Sequence, residues 1–79
     1  MTEEEWREYT KDYLDLTDAQ YDEHQRLWNQ KMTEWPADLW RFVYRVQRRF
    51  GLCGEVISTA IADWLRGDYR YAIERPEDV

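Results

Sequence analysis

At 79 residues the chain is one domain, near the lower limit for folding without disulfides or metal. A single cysteine excludes an internal disulfide, and with one histidine there is no Cys/His set spaced for zinc. The net charge of −6 hides a partition: residues 1–40 carry eleven acids and four bases, whereas residues 41–70 carry six arginines and three acids.

Five Trp, six Tyr and two Phe compensate for the small size, because each aromatic removes a large area from water. The free Cys53 and the acidic opening MTEEEWREYT fit a reducing, cytoplasmic setting. No run reaches the ~18 apolar residues of a membrane span, so no membrane partner is expected.

Thr2 and Glu5 have capping-box spacing, with Glu3, Glu4 and Glu5 in the first turn, where the helix dipole favours negative charge. Trp6, Tyr9, Tyr13 and Leu16 recur at three- and four-residue intervals and predict a helix over 3–16. Thr17 and Gln20 form a second capping box, with Leu16 placed to staple against Tyr21. The second helix is expected over 18–34, its apolar face formed by Tyr21, His24, Leu27, Trp28, Met32 and Trp35.

Pro36 breaks that helix and fits the start of the next, expected over 37–50 with Leu39, Phe42, Val43, Val46 and Phe50 inward. Gly51 is expected to close it in the left-handed conformation. A fourth helix, 54–66, carries Val56, Ile57, Ala60, Ile61, Trp64 and Leu65 and should be the central element, with Trp6, Trp28, Phe42 and Val46 around it. Gly67 is its expected cap, and Tyr69, Tyr71 and Ile73 alternate in the tail. The fold class is therefore all-α: a compact bundle of four helices with an extended C-terminal tail.

The stretch 46–65, VQRRFGLCGEVISTAIADWL, resembles the helix-turn-helix of Cro-type phage repressors at Gly51, its apolar neighbours Phe50 and Leu52, and Ile57, Ala60 and Ile61. The resemblance implies a DNA-binding regulator whose second helix would present Gly54, Glu55, Ser58 and Thr59 to base edges. In size, acidity and lack of catalytic motifs, the whole chain resembles small phage-encoded inhibitors such as anti-CRISPR proteins. That likeness implies a protein partner, in particular a nucleic-acid-binding complex, with carboxylates imitating a phosphate track.

Two faces are candidate contacts. An acidic one comprises Glu4, Glu5, Glu8, Asp12, Asp15, Asp22 and Glu23, and a basic, aromatic one comprises Trp40, Arg41, Tyr44, Arg45, Arg48 and Arg49. Aromatics beside arginine are the residue types enriched at binding hot spots. Their opposite charge is also compatible with self-complementary packing in a homodimer. Cys53 would need His24, the one imidazole, as its base, and Arg66-Gly67-Asp68 reads as a helix cap with flanking charges. No catalytic residue, metal ligand or cofactor is expected, and the favoured function is non-enzymatic: a binding protein that inhibits or regulates its partner. DNA is the alternative partner.

Overall fold

A computed structural model describes residues 2–69 as four α-helices: α1 (Glu3–Leu14), α2 (Asp18–Asn29), α3 (Ala37–Phe50) and α4 (Gly54–Arg66). A single 3₁₀ turn, Met32–Glu34, lies between α2 and α3, and there is no strand among the described residues. Tyr71 and Ile73, on which the expected extended tail rests, lie outside the described residues.

Local chemistry sets most boundaries. Thr2 caps α1 by accepting from the Glu5 amide at 3.2 Å. Thr17 and Gln20 form the full reciprocal box, with the Gln20 amide donating to Thr17 Oγ1 at 3.2 Å and the Thr17 amide to Gln20 Oε1 at 3.0 Å. Leu16 and Tyr21 are both buried in one small cluster with Leu14 and Ala62, as the staple requires. At the end of α4, Gly67 is left-handed, with Gly67 and Asp68 amides returning to the carbonyls of Trp64 and Asp63.

Three boundaries differ from expectation. The first helix stops at Leu14, because Asp15 adopts the left-handed conformation at φ 56°, and the Asp15 and Leu16 amides close on Asp12 and Lys11 carbonyls. The second ends at Asn29 and not Glu34. The chain extends through Gln30, and the 3₁₀ turn folds Trp35 back so that its indole Nε1 donates to the Leu27 carbonyl at 2.7 Å, satisfying a helix-end acceptor. Gly51 has positive φ, 103°, but its ψ of 179° places it in extended mirror-image backbone and not in the left-handed helical region.

The main core is formed by Leu27, Trp35, Leu39, Phe42, Val43, Val46, Ala60 and Ile61, with Val56, Ile57, Trp64 and Leu65 packed partly buried against it. The fourth helix is indeed central, lying along α3 and α2. Trp6 and Trp28 were expected in this core but are exposed, as is Phe50. In α1 only Leu14 is buried. The reason is which side of α1 faces the bundle, and that also creates the most conspicuous surface of the molecule.

Candidate functional site

Trp6, Tyr9 and Tyr13 lie three and four residues apart, so they share one face of α1. Their rings stack in a ladder with centroid separations of 5.9 and 6.4 Å. They are 57, 57 and 61% exposed. The other side of the helix faces the bundle, with Leu14 buried and two basic residues in ion pairs. Arg7 reaches Asp22 at 2.9 Å and Asp18 at 3.6 Å, and its guanidinium lies 4.6 Å from the Tyr21 ring centre. Lys11 reaches Asp18 at 2.8 Å and Glu8 at 3.1 Å. The hydrogen bond from Lys11, followed by its charge, holds the Asp18 carboxyl below the usual aspartate range. At ~100° per residue the ladder sits roughly 130° round the helix from Arg7, Lys11 and Leu14.

The end of the ladder is fixed to α4. Tyr13 Oη donates to Glu55 Oε1 at 2.8 Å, and this bond pushes the phenol above its ordinary range. From the last turn of α4, Arg66 donates from Nη1 to the Leu14 carbonyl and pairs through Nη2 with Asp63, a buried carboxylate. Sequence reasoning missed this clamp, since Asp63 and Arg66 at i, i+3 look like an ordinary surface pair.

The predicted acidic face divides in the structure. Glu5 and Asp12 border the ladder, within about 60° of Tyr9 on the helical wheel. Glu4 lies further round α1, and Asp15 forms its left-handed end. Glu8, Asp22 and Glu23 are drawn into internal ion pairs with Lys11, Arg7 and Arg26. The hydrogen bond from Arg26 lowers the Glu23 carboxyl.

Of the basic, aromatic face, Trp40, Tyr44 and Arg48 are in contact with one another. Trp40 and Tyr44 stack at 5.7 Å with planes 5° apart, and the Arg48 guanidinium lies 6.0 Å from the Tyr44 ring centre. Trp40 and Tyr44 are 43 and 49% exposed, with Arg41 and Arg45 exposed alongside. Arg49 turns aside to Phe50, 5.5 Å from its ring centre.

Other candidate groups serve the fold. His24 is buried and stacks on Trp28, with Nε2 donating to the Ser58 carbonyl at 3.0 Å and lying 3.2 Å from Ser58 Oγ. A nitrogen whose proton is given to a carbonyl cannot act as base toward the serine, and Nδ1 is buried without a partner. Burial pushes the imidazole below its ordinary value, partly offset by the Ser58 bond. Cys53 is exposed at the start of α4 and lines an open groove of ≈ 340 Å³ with Val46, Phe50, Val56 and Thr59. Among the described residues no three His, Cys, Asp or Glu side chains are grouped to hold a metal ion, and no helix is long and apolar enough to cross a membrane.

No protein-family model, curated protein or solved structure matches the chain.

Proposed function

We propose that the chain is a non-enzymatic binding protein that engages a protein partner through the aromatic, acid-bordered face of α1 and thereby inhibits or regulates it. The concrete form is a small phage or mobile-element inhibitor of a host nucleic-acid-binding complex, of the anti-CRISPR kind, acting in the cytoplasm. The observation that carries this reading is the stacked, exposed ladder Trp6–Tyr9–Tyr13 beside Glu5 and Asp12. Contiguous exposed apolar surface on a small domain marks an interaction site. Trp and Tyr supply most hot-spot energy in protein interfaces, and carboxylates at the border suit a lysine- and arginine-rich surface built to hold phosphate.

A second reading, a helix-turn-helix DNA-binding regulator, is favoured by the three-residue connection between α3 and α4 and by exposed Arg41, Arg45 and Arg48. In that reading α4 would enter the groove, yet its Ser58 is bonded to His24 and its first turn offers Gly54 and Glu55. The eleven acids of residues 1–40 also oppose approach to DNA.

The two readings separate by capture from host lysate with and without nuclease, together with titration against random duplex DNA. The inhibitor reading expects a protein partner that survives nuclease and is weakened at least tenfold by Glu5→Lys with Asp12→Lys. It also expects no duplex binding tighter than about 1 μM at physiological salt. Tight duplex binding that disappears in Arg45→Glu would reverse the order.

A further inference from the structure

The structure carries two exposed aromatic stripes of opposite charge and similar length. On α1, Trp6, Tyr9 and Tyr13 run beside Glu5 and Asp12; on α3, Trp40 and Tyr44 run beside Arg41, Arg45 and Arg48. At 1.5 Å rise per residue, 6–13 and 40–48 span roughly 10 and 12 Å. We infer that each stripe is the docking surface for the other in a second copy of this chain, α1 of one copy lying on α3 of its partner and the reverse.

Charge complementarity selects the occupant. The α3 stripe needs an acidic surface with aromatic rings to cover Trp40 and Tyr44, and α1 of a second copy supplies both. Within one chain the two stripes do not meet: α1 is tied to α2 and α4 by Arg7, Lys11, Tyr13 and Arg66, and both stripes are exposed. Area then decides the symmetry. A buried aromatic side chain removes 150–250 Å² from water, so a half-exposed one has roughly 100 Å² left to bury. Five such rings per α1–α3 contact give roughly 500 Å², below the ~1,200 Å² of a specific interface. Two contacts related by a twofold axis, with their charged borders, reach that range, and the reciprocal pairing inferred is of the kind that closes on itself without forming filaments.

The second copy covers the same α1 face that the proposed partner uses, so the two compete for it; the inference does not depend on that reading, because its test contains no outside protein. The mass of the purified chain is measured by sedimentation or light scattering from about 5 to 200 μM. A dimer is expected, its dissociation constant rising about tenfold between ~50 and ~500 mM salt as the charged borders are screened. Glu5→Lys with Asp12→Lys should give monomers, as should Arg41→Glu with Arg45→Glu. An equimolar mixture of the two variants should recover the dimer, because both contacts then pair opposite charges again. Should a reversal variant lose helicity, the neutral pairs Glu5→Gln/Asp12→Asn and Arg41→Gln/Arg45→Gln replace them, each expected to weaken the dimer severalfold. A wild-type monomer at 200 μM, or a dimer indifferent to either set of changes, overturns the inference. So does a mixture of folded reversal variants that stays monomeric.

Discussion

At the scale of single residues, His24 carries the clearest linkage between chemistry and stability. Its imidazole is buried, gives its one proton to the Ser58 carbonyl, and leaves Nδ1 with no partner for a second. Its folded pKa lies below the unfolded value of about 6.5, so the unfolded chain binds the proton first. The neutral ring's contribution is complete above pH ~6.5 and is lost progressively as pH falls from there toward the folded pKa. Denaturant titrations between pH 7.5 and 5 should show stability falling with pH, and His24→Gln should flatten that slope even if the variant is weaker throughout. An unchanged slope in the variant would assign the effect elsewhere. The carboxylates Asp18 and Glu23, whose folded values are lowered, act in a separate window: their stabilisation is present above about pH 4 and lost below it.

At the scale of elements, α1 is held differently from the other three helices. Its buried apolar contribution is Leu14 alone, and its attachment comes from ion pairs to α2 and from Arg66 and Glu55 on α4. Arg66 does two things at once, satisfying the Leu14 carbonyl at the end of α1 and neutralising the buried Asp63. Arg66→Ala should therefore lower stability by ~2–4 kcal/mol, more than a surface pair would. In a double-mutant cycle the loss should be well short of additive with Asp63→Ala, because that change removes the buried charge. Additive losses would show that the two side chains act separately.

The same element shows where sequence reading stops. The boundaries of α3 and α4 were legible because Pro36, Gly51 and Gly67 punctuate an apolar period of 3.6. The end of α2 was not, since Gln30 and Lys31 are good helix formers and the break depends on Trp35 reaching back to Leu27. The stripe Trp6–Tyr9–Tyr13 has the spacing of a buried face, and period alone cannot distinguish a core from an uncovered surface. In the orientation adopted, Leu14 is buried and Arg7 and Lys11 meet Asp22 and Asp18 across the hairpin. Of the candidate site, the grouping of Trp40, Tyr44 and Arg48 was legible from their i, i+4 spacing. The pairs Glu8–Lys11 and Glu23–Arg26 are local i, i+3 pairs, whereas the pairing of Asp22 with Arg7 across the hairpin needed the fold.

At the scale of the whole molecule, charge is distributed by element: acidic over α1 and α2, basic over the solvent side of α3, and limited in α4 to Glu55, Asp63 and Arg66, which are bonded within the molecule. Such a separation orients encounters between molecules before contact and makes association sensitive to salt. The position of α4 has a further consequence, for synthesis. Ala60 and Ile61 complete the main core and Ala62 the smaller cluster, so neither cluster is closed until the fourth helix is present. A fragment ending at residue 53 should show little helical signal by circular dichroism and no cooperative melt, whereas one ending at residue 69 should regain both. During synthesis α1, α2 and α3 emerge before the helix that completes their clusters, with Leu27, Leu39 and Val43 uncovered until α4 follows. Closure of both clusters is therefore a single event that waits on one helix, and not a stepwise addition of α1, α2 and α3.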